Sequence, residues 1–560
     1  MKTTIRLLLA TSFLASITPA QEAVFSENIS PEWQWSVPVE SMVSSETNDH
    51  PRAFLWIPPE CKRLRGVVIG QHNMEEERIF ENPTFRRTLT DLDFAVIWVT
   101  PAIDLFFRFD RGSAPKFDEM LDALASESGY SELPLVPVVP LGHSAAASFP
   151  WNWAAWAPKR ILAAISVSGQ WPYYKDVNTP DWGDRKVDGI PGLVTMGEYE
   201  GAWNRAGTGV KQRAEHPQLP LSMLAEPGGG HFDVSDAKAS FIALYLRKAA
   251  HHRLPKSWPI NQAPVLNPID PTKTGWLVDR CRPDGRPAAP AAPVGSYTGK
   301  PEDAFWVFDE ELARATDTFQ SFHAGKKVQL LGYVQKDGVV PENPKMHGQV
   351  PLRFEPEADG LTFRLRGTFV DTVPPGRPEG WSGLPAGSPI PHGTDPENIV
   401  ISRICGPVEK LGVDTFSVRF YRMGVTNTKR SNEIWFFASH PGDATFRRAV
   451  LQASMRIPLA NNSGADQSIS FECPAVLSAR AGTSLKFDAR SSAGLPVHFY
   501  VREGPAYING DTLHLTPIPP RAKFPMKITV VAWQWGRAND PKVKTATPVE
   551  RTIQLLPGSP

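Results

Sequence analysis

The sequence of 560 residues predicts an α/β protein: a doubly wound, mostly parallel sheet, followed by β-sandwich domains. Three observations carry this. Between about residues 33 and 250, short continuous apolar runs alternate with segments of helical period, the pattern of strands covered on both faces by crossover helices. One such run, over residues 135–141, stops abruptly at Gly142-His143-Ser144-Ala145-Ala146 and leads into a small-residue, Trp-rich segment suited to a helix. From about residue 300 onward apolar residues recur with a period of two, as in strands with one buried face.

Taken in order, residues 1–20 have the layout of a secretory signal peptide. Lys2 and Arg6 are charged, 7–17 is apolar, and Thr18-Pro19-Ala20 offers small residues for cleavage. Residues 33–42 and 51–57 alternate as two opening strands. A short buried strand at 66–70 is followed by the turn Gln71-His72-Asn73-Met74 and a predicted helix over 75–92, its charges interleaved with Ile79, Phe80, Phe85 and Leu89. A strand at 94–99 and a helix at 117–125 precede the run that ends at Gly142. Further strands are expected at 161–167, 191–196 and 219–224. A closing helix over 232–249 has Asp233 and Asp236 near its start and Arg247 and Lys248 near its end, which complements the helix dipole.

Sheets of this kind bind ligands at the carboxyl ends of their strands, so polar residues there are the candidates for chemistry. Ser144 stands between a strand and a helix, in a tight turn that lifts its hydroxyl above the sheet edge. The turn also leaves the Ala145 N–H at a helix start, facing a developing oxyanion. Crowding in such a turn demands small neighbours, which Gly142 and Ala146 supply. The same residues also form a plain capped turn with Ser144 as helix N-cap. Two strands on stands Gly197-Glu198-Tyr199-Glu200, and one strand further Gly228-Gly229-Gly230-His231. A Ser hydroxyl needs a neighbouring base to become a nucleophile. A neutral His is such a base, and a carboxylate on its other nitrogen fixes the tautomer and stabilises the imidazolium.

With these residues in view, the stretch from about 33 to 250 resembles the α/β-hydrolase superfamily, and its secreted serine esterases in particular. The resemblance implies Ser144 as nucleophile, His231 as general base and Glu200 as orienting acid, with Glu198 the rival carboxylate. It implies an oxyanion hole made by the Ala145 N–H and one from the 71–74 turn, Met74 first and Asn73 next, although the family's His-Gly-Gly-Gly signature is missing there. His72 and Asn73 equally read as turn residues that satisfy local backbone groups. No cofactor and no metal are expected. Family members often insert a lid where residues 169–189 stand. The segment is short here, which predicts an open pocket with an aromatic rim. Trp171, Tyr173, Trp182 and Trp203 are the substrate-binding candidates, whereas Trp153 and Trp156 read as core.

A Pro-rich linker is expected over 259–299, with 282–296 reading as a linker or as an extended wrap. A β-rich domain over 300–465 follows, with a helix at 309–318 and strands at 328–334, 361–370, 415–421, 433–438 and 451–457. Residues 374–395 read as loop. Short, evenly spaced strands over 466–560 resemble the immunoglobulin-like repeats at the ends of secreted bacterial enzymes. Neither β region shows a recognisable catalytic constellation, so a chain ending near Trp258 is expected to keep activity on small esters. Cys61, Cys281, Cys405 and Cys473 are widely spaced and show no metal-ligand pattern. Export would permit any of three disulfide pairings, or buried single thiols.

Acidic and basic residues balance at 59 each, which gives no footprint for nucleic acid or an anionic membrane. No apolar run is long enough to span a bilayer. The expectation is a secreted, periplasmic or extracellular enzyme that cleaves a carboxylic ester through an acyl-enzyme, such as an acetyl or feruloyl ester on polysaccharide. Two other readings stay open: a peptidase or amidase using the same residues, and a non-catalytic cell-surface binding protein. Nothing in the sequence sets an oligomeric state.

Overall fold

The computed structural model describes residues 32–343, 349–375, 377–480 and 482–558. The expected signal peptide lies outside them. Strands β1 (Trp35–Pro38), β2 (Arg52–Trp56), β3 (Gly66–Gln71), β4 (Phe94–Thr100), β5 (Val138–His143), β6 (Ala164–Val167), β7 (Gly192–Gly197) and β8 (Leu221–Glu226) make one eight-stranded sheet, in the order β1-β2-β4-β3-β5-β6-β7-β8. The pairs β1–β2 and β2–β4 are antiparallel, and every pair from β4 to β8 is parallel. This is the doubly wound, mostly parallel sheet of the α/β-hydrolase fold.

The apolar runs are continuous because both faces are covered. Helices α1 (Glu76–Phe80), α2 (Pro83–Leu92) and α6 (Asp236–Arg253) lie on one face, where Val68, Val96, Trp98, Val139 and Leu141 meet Phe80, Phe85, Ile242 and Leu246. Helices α3 (Ser113–Ser128), α4 (Phe149–Trp156) and α5 (Ala202–Glu215) lie on the other, where Val67, Ile69, Ile97 and Val138 meet Phe117, Leu121, Trp153 and Ala206. The single helix expected over 75–92 is two helices. Asn82 accepts hydrogen bonds from the Thr84 and Phe85 N–H groups and Pro83 opens α2, so the chain restarts there. Helix α5 was not anticipated, since its two glycines weaken the helical pattern.

The stretch 259–299 is not a free linker. It contributes β9 (Trp276–Asp279) and β10 (Ala292–Pro293), and β9 pairs antiparallel with both β10 and β11 (Ala304–Val307). Leu277, Val278, Trp306 and Phe308 are buried in the core that contains α6 and the sheet. The Arg213 guanidinium donates to the Ala304 carbonyl at 2.7 Å. Apolar residues between the prolines, rather than the prolines themselves, decide the outcome. Helix α7 (Glu310–Ser321) packs on the same side.

Antiparallel-rich sheets follow. Strands Val350–Leu352, Ala449–Arg456, Glu433–His440 and Val400–Cys405 form one sheet, and Thr362–Arg364, Thr415–Val418 and Val408–Lys410 another, with a shared core of Phe363, Phe416, Phe436 and Leu451. The run expected as one strand over 361–370 is split. Thr362–Arg364 pairs with Thr415–Val418, whereas Arg366–Phe369 pairs with Leu331–Gln335. A last set of sheets, built on His498–Glu503, Met526–Trp533 and Val549–Pro557, encloses Phe471, Phe487, Phe499 and Ile528. These layers pack as β-sandwiches do. The last set also covers the outer edge of the first sheet: the Gly504 N–H donates to the Trp33 carbonyl at 3.0 Å, and Glu503 pairs with Arg52 at 3.3 Å.

All four cysteines are free thiols. Among the described residues no helix is long and apolar enough to cross a membrane.

Candidate active site

Strand β5 delivers Ser144 at φ 53°, a left-handed conformation unusual for a residue with a side chain. The chain then turns at once into a short helical turn, Ser144–Ala146. Gly142 permits this, since a Cβ there would lie 2.0 Å from the Ala146 carbonyl oxygen. Ser144 is half-buried and Ala145 is exposed. Among the described residues no acceptor takes the Ala145 N–H.

The loops after β7 and β8 bring two more side chains to this point. Ser144 Oγ lies 2.7 Å from His231 Nε2, and His231 Nδ1 lies 2.6 Å from Glu200 Oε2. The other oxygen of Glu200 accepts from the Gly197 N–H at 3.0 Å and lies 2.9 Å from Ser168 Oγ. Burial opposes the ionised Glu200, but the hydrogen bond and charge of His231 outweigh it and hold the carboxyl below its ordinary range. Glu198 turns away from His231. It accepts from the Gly228 N–H at 2.7 Å and from the Arg447 guanidinium at 2.7 Å.

The turn after β3 departs from expectation. The Met74 and Asn73 N–H groups do not face an open oxyanion site. Both point at Glu76 Oε2, at 2.9 and 3.2 Å, while Glu76 Oε1 accepts from the His143 N–H at 2.8 Å. A buried carboxylate thus ties the turn to the end of β5. Burial pushes its pKa up to about 7, against the opposing effect of these N–H donors. The Asn73 side chain donates to the His143 carbonyl at 2.7 Å, and the buried His72 ring lies against Trp98. Both serve the turn.

The four aromatic candidates are engaged in packing. Trp171 is buried and stacks on Phe305 at 5.8 Å, and Trp182 is buried with its indole N–H on Asn152 at 2.8 Å. Tyr173 stacks on His216 and Trp203 on His323. All four pack the 169–189 segment and α5 onto their neighbours.

The ring beside His231 comes instead from the following residue and from the β region. Phe232 meets the His231 ring edge-on at 4.6 Å, and Trp435 meets Phe232 at 5.0 Å. Met74, Ile404, Cys405, Phe437 and Val450 join Phe232 in this small apolar cluster. Charged and polar contacts fix the junction. Arg448 forks onto Asp233, with one bond at 2.7 Å, and the Trp381 indole donates to the Tyr199 carbonyl at 2.8 Å. At Gly228, φ is 64° and a Cβ would lie 2.1 Å from the Arg448 carbonyl oxygen.

Behind the His231 loop, Lys238 is fully buried between Glu226 at 3.1 Å and Glu75 at 3.3 Å. The chain therefore buries Glu75, Glu76 and Glu77 in succession. They face Lys238, backbone N–H groups, and Arg403 with Arg422, respectively. Sequence reasoning missed this triplet because three adjacent carboxylates ordinarily mark a solvated face. The available signal was their position in the turn directly after a buried strand.

No family model matches the sequence, and neither does any curated protein. Solved structures to which part of the chain is similar include the fluorophosphonate-binding serine hydrolase F of Staphylococcus aureus, at 12% identity, TM-score 0.25, covering 35% of this chain and 90% of that one. A dienelactone hydrolase from Anabaena variabilis is similar at 16% identity and TM-score 0.27, covering 39% and 97%. A poly(3-hydroxybutyrate) depolymerase from Bordetella parapertussis is similar at 11% and 0.26, covering 39% and 94%.

Proposed function

We propose that this chain is a serine hydrolase of carboxylic esters that works through an acyl-enzyme. The observation that carries the reading is the unbroken line of two short contacts, from Ser144 Oγ to His231 Nε2 and from His231 Nδ1 to Glu200. His231 takes the Ser144 proton as the hydroxyl oxygen attacks the ester carbonyl carbon, and Glu200 stabilises the imidazolium that results. The free Ala145 N–H donates to the oxyanion. Collapse of the tetrahedral intermediate expels the alcohol, which takes the proton from His231. Water then attacks the acyl-enzyme by the same route and releases the acid and Ser144. The turn at Ala145 is exposed, so a bulky alcohol can reach it, and the substrate class proposed is an acetyl or feruloyl ester of a polysaccharide.

The test is labelling with a fluorophosphonate probe, read by mass spectrometry at Ser144, together with turnover of aryl esters, acetylated sugars and peptides. Ser144→Ala is expected to lose both labelling and ester turnover, the latter by on the order of a millionfold, as when a serine hydrolase loses its nucleophile. Ester hydrolysis at the wild-type rate in that variant would overturn the reading.

A further inference from the structure

We infer that Trp435, from the β region and not from the α/β sheet, is a specificity-determining residue of this site and stacks on a ring carried by the ester. The inference rests on the ester-hydrolase reading above.

Four observations support it. Trp435 is only one ring removed from His231, through Phe232. It is half-buried, and among the described residues nothing accepts its indole N–H, which is not sealed inside the protein. The ring therefore leans at 46° on Phe232, which separates it from His231, while part of it and a hydrogen-bond donor remain accessible. The ring stands on Glu433–His440, an inner strand of its sheet, opposite Cys405 on one side and Ser454 on the other. A residue on such a strand is held more firmly than one on a loop. The Arg448–Asp233 and Arg447–Glu198 pairs then fix this sheet to the loops carrying His231 and Glu200.

The aromatic residues that the sequence offered for this task are used up in packing. Trp171 and Trp182 are buried, and Tyr173 and Trp203 are stacked on histidines. The complementary ligand group is a flat ring face with a hydrogen-bond acceptor at its edge. A feruloyl ring on the acyl side and a pyranose on the alcohol side share that chemistry.

The experiment measures KM and kcat of the full chain on methyl ferulate, on an acetylated methyl xyloside and on ethyl acetate, which has no ring. For Trp435→Ala, KM for at least one ring-bearing ester should rise about threefold to tenfold more than KM for ethyl acetate, the worth of one aromatic stacking contact. Trp435→Phe keeps a ring and loses the N–H, so its selective rise should be smaller, and it is the variant read if the alanine protein does not fold. Which ring-bearing ester responds assigns the ring to the acyl or the alcohol side. Equal shifts on all three esters, or none, would overturn the role of Trp435. Failure of the wild-type protein to be labelled at Ser144 would instead sink the ester-hydrolase reading itself.

Discussion

Glu200 and Glu198 are two residues apart and meet different partners, which makes a clean comparison at the scale of single side chains. An amide at residue 200 cannot stabilise a charged His231, so Glu200→Gln should lower kcat by roughly 10⁴-fold with little change in melting temperature. An amide at residue 198 weakens the bonds to Arg447 and Gly228. Glu198→Gln should therefore cost on the order of 1–3 kcal/mol of stability and spare most of kcat. Steady-state kinetics and thermal melts of the two variants check this, and the reverse ranking in kcat would move the orienting role to Glu198. That Ser144, Glu200 and His231 could meet was legible in the sequence because all three follow the carboxyl ends of strands in one parallel sheet. Glu76 was not legible. Its partners are backbone N–H groups, and a main-chain partner leaves no trace in residue identity.

At the scale of elements, Glu76 joins the turn after β3 to the last residue of β5, and its titration reports on that joint. Its folded pKa of about 7 lies above the ordinary 4.5. The folded state therefore keeps a proton that the unfolded state releases, and the stabilisation from that proton is complete below pH 4.5 and is lost as pH rises to 7. Two and a half units amount to roughly 3 kcal/mol. Glu76→Gln removes the titration, so the stability of the wild type relative to the variant should fall by about that amount across the window. Urea unfolding of both proteins at pH 4.5, 6 and 7.5 measures it, and a difference that stays flat with pH would refute the burial-driven shift. Elements themselves were readable where apolar runs were long, as in β3, β4 and β5. They were misread where a side chain or a partner strand decided the boundary, as at Asn82 and within 361–370.

The whole molecule does not divide where composition changes. A chain ending at Trp258 would lose Leu277, Val278, Trp306 and Phe308 from the core under α6. It would also strip Arg448 from the fully buried Asp233 and Arg447 from Glu198. An abandoned buried charge costs about 3–5 kcal/mol. The expectation that this piece acts alone on small esters therefore reverses: it should be insoluble, or soluble without fluorophosphonate labelling. A soluble, labelled and active truncation would refute the argument. The sequence hid this dependence because ion pairs between distant segments carry no local pattern.

The seam between Glu503 and Ser36 joins positions 467 residues apart. At about 5–20 residues per second of synthesis, the outer edge of the first sheet waits roughly 25–90 s for its cover. For that interval the growing polypeptide presents an open strand edge to every other nascent chain nearby. The half that carries the first sheet is made first and covered last, so a premature stop before Glu503 leaves that sheet with an unguarded edge.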